Sequence, residues 1–180
     1  MPRDSMMTTP TNLFNATDWE PLIALLRNEL QECGGLFNLL TRQQDQIIDR
    51  KPDAILLLND EIDAQTQIVG ELRTRREQMV AELHTRAEAT GTVTLRSIIP
   101  FFGADAQPLL EALMNDINLM LRRNRQKARQ NHLLLARAME LTEQTLRVLQ
   151  PENFTRTYER TGKVATPRPA APASRYQAVG

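Results

Sequence analysis

Apolar residues recur at alternating spacings of three and four along three long stretches of this chain, a period typical of helices that pack on other helices. The pattern predicts an all-α fold in which long antiparallel helices form a coiled-coil-like hairpin or a three-helix bundle. The three seams are Ile23, Leu26, Leu30, Cys33, Phe37, Leu40, Gln44 and Ile47; Ile55, Leu58, Ile62, Gln65, Val69, Leu72, Arg76, Met79 and Leu83; and Leu110, Leu113, Ile117, Met120, Asn124, Lys127, Asn131, Leu134, Ala138 and Leu141.

Helix-start and helix-stop signals divide the chain into segments. We expect helices at about 18–50, 52–90 and 108–150, joined by a connector at 91–107 that caps one end of the bundle. Thr17 and Glu20 form a capping-box pattern at the first start, and Pro21 suits the first turn of that helix. Around Pro52 the chain either turns or kinks, and we favour a kink. Gly91 is the expected left-handed stop of the second helix.

The two ends of the chain lack any helical period. Residues 1–16 are expected to be a disordered arm, and residues 151–180, which become rich in Pro, Ala and Arg from Lys163 onward, a flexible tail. The start contains no apolar run of the kind found in secretory signals, and no stretch approaches the ~20 apolar residues of a membrane span. The single cysteine, Cys33, is expected to be a buried small hydrophobe. These features predict a cytoplasmic protein with no stable membrane insertion.

The residues that usually perform catalysis or hold cofactors show no suitable grouping. His84 and His132 lie on different predicted helices without a Cys or a second His at metal-ligand spacing, and no glycine-rich phosphate loop or nucleophile motif is present. We therefore predict that the protein is not an enzyme and has no catalytic, metal-binding or cofactor-binding residues.

The third predicted helix contains the one basic run of the chain. The run consists of Arg122, Arg123, Arg125, Lys127 and Arg129, continued by Arg137, whereas the whole sequence balances 22 Lys and Arg against 22 Asp and Glu. A nucleic-acid binder using Arg122–Arg129 is the less favoured interpretation, because no aromatic residues interleave with the run to stack on bases. A solvated face, or ion pairs with acids of the second helix, is favoured.

After Asn131 the apolar residues of the third helix spread over about 180° of its circumference, more than a simple hairpin buries. They are Leu134, Leu135, Ala138, Met139, Leu141, Leu146, Val148 and Leu149. This surface either packs within the chain or forms a groove-like surface for a partner helix. Asn124 and Asn131, one heptad apart, either fix the register of the helices or present their amides to a partner.

The last third of the sequence resembles the FlgN family of flagellar export chaperones. The resemblance is carried by Asn131, Leu134, Leu135, Leu146, Leu149, Pro151, the pair Thr157-Tyr158, and Gly162. A weaker similarity in Gln44, Ile47, Lys51, Leu56, Leu72 and Arg76 extends it to about 19–162.

The resemblance implies a cytoplasmic chaperone that binds the amphipathic terminal helix of hook-filament junction proteins, prevents their premature assembly and delivers them to the type III export gate. It implies cargo contacts by Asn131, Leu134, Leu135, Ala138, Met139, Leu146 and Leu149, and docking to an export-gate component by Thr157, Tyr158 and Gly162. It implies no cofactor and no nucleic-acid partner. The alternative is a structural helical scaffold or adaptor that dimerises through its heptads.

Overall fold

The computed structural model describes residues 13–149, and these residues are helical almost throughout. Helix α1 spans Ala16–Ile48, α2 Pro52–Arg86, the short α3 Leu95–Ile98 and α4 Gln107–Leu149, with a 3-10 turn at Ile99–Phe101. The prediction of an all-α fold is confirmed. Contacts divide the chain into one unit that ends at His132 and another that begins at Leu133, and each is described by itself.

Helices α1 and α2 form an antiparallel hairpin. Asp18 pairs with Arg86 at 2.8 Å, the Glu32 carbonyl accepts from Gln65 at 3.0 Å, and Gln43 donates to Asn59 at 2.7 Å, so positions rise along α1 as they fall along α2. The expected kink near Pro52 is therefore wrong, because the chain reverses fully between the two helices.

The reversal depends on a residue that the sequence does not mark as a turn former. Arg50 has a left-handed backbone with φ 58°, which lets its N–H donate to the Ile47 carbonyl at 3.2 Å and the Lys51 N–H to the Gln46 carbonyl at 3.0 Å. These two bonds satisfy carbonyls that α1 would otherwise leave unpaired at its end. Pro52 then begins α2, where its missing N–H costs nothing.

The end of α2 is formed in the same way, by a left-handed residue that is Glu88 and not the expected Gly91. Glu88 has φ 48°, and the N–H groups of Glu88 and Ala89 donate to the carbonyls of Thr85 and His84. The helix therefore ends at Arg86, before the predicted end near residue 90. Gly91 also has a positive φ, 99°, but it lies beyond the helix, in the connector.

The start of α1 also differs from the prediction. Asn15, not Thr17, is the N-cap: its side chain accepts from the Thr17 N–H at 3.0 Å, while the Asn15 N–H donates to Asp18 at 3.1 Å. Pro21 consequently lies in the second turn, inside the helix. Hydrogen bonds from Arg86 and from the Asn15 backbone lower the pKa of the Asp18 carboxyl, so this cap is anionic at neutral pH.

The main apolar core lies where the start of α1, the end of α2, the connector and the start of α4 meet. Phe14 is buried there with its ring 4.8 Å from that of Phe102, and the N–H groups of Leu13 and Phe14 both donate to the Phe101 carbonyl. The prediction of a disordered arm is wrong for residues 13–16, because the Phe14 ring holds them to the connector. The other core members include Leu22, Ile23, Leu26, Val80, Leu83, Leu95, Ile98, Ile99, Ala106, Leu110, Leu113 and Ile117.

Halfway along the hairpin an ion pair replaces apolar packing. Arg76 Nε lies 2.8 Å from Glu29 Oε2, and the Glu29 side chain is fully buried. The geometry is that of an ion pair and not of a hydrogen bond, since neither atom has a hydrogen-bond partner within the described residues. Burial raises the pKa of the Glu29 carboxyl, and the positive charge of Arg76 opposes this only in part. The sequence placed Arg76 on the inner seam of α2 but did not identify Glu29 as its partner.

We expect Arg76→Met to destabilise the protein by about 3 kcal/mol at pH 7, because it leaves the Glu29 carboxylate buried and unpaired. The pKa of Glu29 is raised in the folded state, so protonated Glu29 contributes stability at low pH. This contribution is lost as the pH rises through the folded-state pKa. The loss of unfolding free energy caused by Arg76→Met, measured by urea unfolding, should therefore be smaller at pH 5 than at pH 7. Arg75→Met, on the exposed neighbour, is the matched control; an equal loss there would contradict the assignment.

Candidate functional site

Helix α4 is attached to α1 by two asparagines one heptad apart. Asn124 Nδ2 donates to the Cys33 carbonyl at 2.9 Å, and Asn131 Nδ2 donates to the Leu40 carbonyl at 2.7 Å. Both side chains are buried, and both donate to carbonyls that are themselves one heptad apart on α1. These buried contacts support the interpretation that the two asparagines fix the register of the helices.

Asn131 also joins all three long helices. Its amide donates to Gln43 Oε1 at 2.7 Å, and Gln43 Nε2 donates in turn to Asn59 Oδ1 at 2.7 Å, which links α4 to α2 through α1. With 2% of its surface exposed, Asn131 has no surface left for a partner. This differs from the expectation that Asn131 contacts cargo, because its donors are used inside the chain.

The three-four period places Gln44 on the seam of α1 and gives no signal for Gln43. Both contribute: Gln43 is buried in the network around Asn131, while the half-buried Gln44 accepts from Lys127 Nζ at 3.0 Å. The Lys127 ammonium also lies 5.7 Å from the centre of the Phe37 ring, within cation–π range.

The basic run is a solvated face of α4. Arg122, Arg123, Arg125 and Arg129 are exposed, and in the part of the chain that the structure describes none of them forms an ion pair. Of the two favoured interpretations, the solvated face is therefore correct and the ion pairs with α2 are not formed.

From Leu133 onward α4 carries a largely exposed apolar surface, which we call the α4 terminal surface. Met139 and Leu149 are the clearest members, with 72% and 71% of their surfaces exposed. Leu135 and Ala138 are half-buried. The exposed large apolar residues of this surface are Leu133, Leu134, Met139, Leu141, Leu146, Val148 and Leu149. All of them except Leu133 were predicted from the sequence.

Several polar groups of this segment are paired within the helix itself. Arg147 pairs with Glu143, and Gln144 donates to Glu140, each across one helical turn. The hydroxyls of Thr142 and Thr145, which lie among the apolar positions, donate to the Ala138 and Leu141 carbonyls at 2.9 and 2.8 Å. The threonines can therefore present their methyl groups outward, and the α4 terminal surface suits an apolar partner.

Thr157, Tyr158 and Gly162, the residues expected to dock to the export gate, lie outside the described residues. Within residues 13–149, no group of three or more His, Cys, Asp or Glu side chains is placed to hold a metal ion. None of the described helices is long and apolar enough to cross a membrane. Cys33 is buried as expected, and burial raises the pKa of its thiol to about 11.

These features define an all-α helical protein in which buried polar contacts join the long helices and one long helix ends in an exposed apolar surface. Residues 19–166 match the model of the FlgN protein family, which covers most of the chain. The chain therefore belongs to the FlgN family of flagellar export chaperones. No curated protein and no solved structure gives a significant match.

If Asn131 fixes the register, Asn131→Asp should destabilise the protein by about 2 to 4 kcal/mol, because a buried carboxylate would then face the Leu40 carbonyl. Gln130→Glu introduces the same charge on the adjacent exposed residue and should cost within about 0.5 kcal/mol. Urea unfolding followed by circular dichroism measures both. Equal stability of the two variants would show that the Asn131 amide is not a structural contact.

Proposed function

We propose that this protein is a cytoplasmic, non-enzymatic export chaperone that binds the amphipathic terminal helix of flagellar hook-filament junction proteins. In this role it prevents their premature assembly and delivers them to the type III export gate. Membership of the FlgN family supports the general role of export chaperone. The observation that carries the specific proposal is the exposed apolar surface at the end of α4.

The α4 terminal surface has the chemistry needed to mask a helix that would otherwise self-associate. An amphipathic cargo helix can bury its apolar stripe against Leu134, Met139, Leu146 and Leu149, with the half-buried Leu135 and Ala138 beside them. The self-paired Glu143 and Arg147 need not be desolvated, because they lie on the polar stripe. Binding of this kind forms and breaks no covalent bond, so it requires no catalytic group or cofactor.

The alternative is a scaffold that dimerises through its heptads. It is disfavoured because the heptad positions are already buried within one chain. All nine predicted seam positions of α2, from Ile55 to Leu83, are buried or half-buried against the rest of the same chain. A dimer built on that seam would first have to open the hairpin.

Delivery to the export gate is assigned to Thr157, Tyr158 and Gly162. These residues fall within the part of the sequence that matches the family. A tyrosine can place a large rigid ring in a partner's pocket while its hydroxyl keeps a hydrogen bond, which makes Tyr158 the natural anchor of this contact.

We expect Met139→Asp with Leu149→Asp to weaken binding of a purified hook-filament junction protein at least about 100-fold, since each carboxylate would enter an apolar contact. Titration calorimetry measures the affinity, and far-UV circular dichroism should show unchanged helicity because both side chains are exposed. Leu56→Asp with Leu57→Asp is the matched control on α2, where the leucines are 64% and 68% exposed. Unaltered cargo affinity of the α4 variant, or an equal loss in the control, would refute the proposed surface.

For the gate contact, Tyr158→Ala should leave cargo affinity nearly unchanged and weaken binding to a purified export-gate component by the roughly 2 kcal/mol typical of an anchor residue, about thirtyfold. Parallel titrations of the variant against cargo and against the gate component measure the two effects. If cargo binding falls while gate binding persists, the division of roles between α4 and Tyr158 is wrong. Tyr158→Phe is the conservative control, which keeps the ring.

A further inference from the structure

The solvent side of α2, away from its buried seam, carries a second apolar line. The line consists of Leu57, Ala64 and Ile68, which are all exposed; Leu57 is 68% exposed and Ile68 42%. Their spacings of seven and four place them within about 40° of one another around the helix, the arrangement of a heptad seam. The inner seam through Leu58 and Val69 is buried within the chain, whereas this line is left in solvent. Apolar side chains aligned in this way are typical of a surface that binds a partner helix.

Acidic side chains border this apolar line on both sides. At about 100° per residue, three exposed acids follow one edge and a fourth lies on the other: Asp53, Asp60 and Glu71, and opposite them Glu61. The whole segment 52–72 contains no Lys or Arg. Within the described residues only Glu61 of these four acids is in an ion pair, at 3.5 Å from Arg42 of α1. The surface is therefore an apolar line between negative charges, most of them unpaired.

The negative charge of this surface determines the chemistry of its partner. Its carboxylates repel phosphate groups, so the surface suits neither a nucleic acid nor an anionic lipid headgroup. A second helix packed on the apolar line would place its own flanking positions beside the acids, as e and g positions flank a coiled-coil seam. Like charges facing each other across an interface cost free energy, and opposite charges fix the choice of partner. The flanking positions of a partner helix therefore have to be Lys or Arg.

We propose that this surface, which we call the α2 outer surface, is a docking site for a basic amphipathic helix of another protein. From Asp53 to Glu71 it is about 27 Å long at 1.5 Å per residue, which matches about five turns of a partner helix. The inference goes beyond the proposed chaperone function and does not depend on it, because it involves neither the α4 terminal surface nor Tyr158.

Two synthetic peptides test the charge of the partner. Each is an amphipathic helix of about 20 residues with leucine at positions a and d; one has lysine at e and g, the other glutamate, so neither pairs with itself. Fluorescence anisotropy of the labelled peptides should show that the full chain binds the lysine peptide at least about tenfold more tightly than the glutamate peptide at about 50 mM NaCl. The Kd of the lysine peptide should rise at least about tenfold at about 500 mM NaCl, because screening ions reach the exposed charges. Equal affinities for the two peptides would overturn the proposal.

Two pairs of substitutions test whether the lysine peptide binds at the α2 outer surface. Leu57→Gln with Ile68→Gln removes the apolar line without changing the charge. Asp60→Asn with Glu71→Gln removes two of the bordering charges and keeps the apolar line. Each pair should weaken binding of the lysine peptide at least about tenfold, because the contact needs both apolar burial and opposite charge. The helical circular dichroism should stay at the wild-type level, because all four side chains are exposed.

Glu111→Gln with Asp116→Asn on α4 is the matched control. It makes the same change in net charge as the Asp60–Glu71 pair, at exposed positions outside the α2 outer surface, and should leave the affinity for the lysine peptide within about twofold. A loss in this control as large as in the two α2 pairs, or unchanged binding in both α2 pairs, would show that the peptide does not bind at the proposed surface.

Two other occupants of the α2 outer surface would give different results. If the Leu57→Gln Ile68→Gln variant loses affinity for a purified hook-filament junction protein as well, cargo covers this surface. If an excess of that variant, whose basic run on α4 is intact, displaces the lysine peptide from the wild type, a second copy of the chain covers it. Either result would overturn the proposal. A variant that loses the lysine peptide and keeps its cargo affinity would support it, whether or not cargo binds at the α4 terminal surface.

Discussion

The arrangement of the helices depends on side-chain amides that donate to backbone carbonyls in the middle of α1. Gln65 of α2 donates to the Glu32 carbonyl, and Asn124 and Asn131 of α4 donate to the carbonyls of Cys33 and Leu40. A helical carbonyl has a second lone pair, so it can accept such a bond and keep its hydrogen bond within the helix. Since each donor is short, a shift of one residue would break the contact. Apolar packing alone tolerates more sliding than this.

The polar contacts have a cost that the apolar core offsets. The Oδ1 atoms of Asn124 and Asn131 are buried without a hydrogen bond among the described residues, and Glu29 is buried with only Arg76 to compensate its charge. An apolar seam at these positions would be expected to be at least as stable. The large apolar cluster around Phe14, Leu26 and Phe102 lies at one end of the hairpin, so the largest block of buried apolar surface is there. We infer that the polar contacts are kept because they specify one register.

The sequence reveals the local helical period more fully than the contacts between residues that are distant along the chain. All nine seam positions predicted for α2 face inward, because a three-four period leaves only one face that can be buried. The reversal at Arg50 and the end of α2 at Glu88 were not predictable in the same way, since both use a left-handed residue that is not glycine. Asn15 is the N-cap of α1, although Thr17, two residues later, begins a similar capping pattern in the sequence. The burial of Phe14 against the distant Phe102 favours the earlier cap, and no local pattern records that contact.

The same distinction applies to α4, where the sequence predicted a wide apolar surface but not whether this chain would cover it. The start of α4 packs in the apolar core through Leu110, Leu113 and Ile117. From there to Asn131 the helix is held to α1 by hydrogen bonds from Asn124, Lys127 and Asn131. Beyond His132 apolar side chains cover about half of the helix circumference. The ion pair of this segment lies within one helical turn, and its threonine hydroxyls donate to the backbone. Because the start of α4 is anchored in the core and hydrogen bonds hold its middle in register, the leucines beyond His132 need not be used for the fold. A helix positioned in this way can keep an apolar surface for a partner without competing for it with its own core.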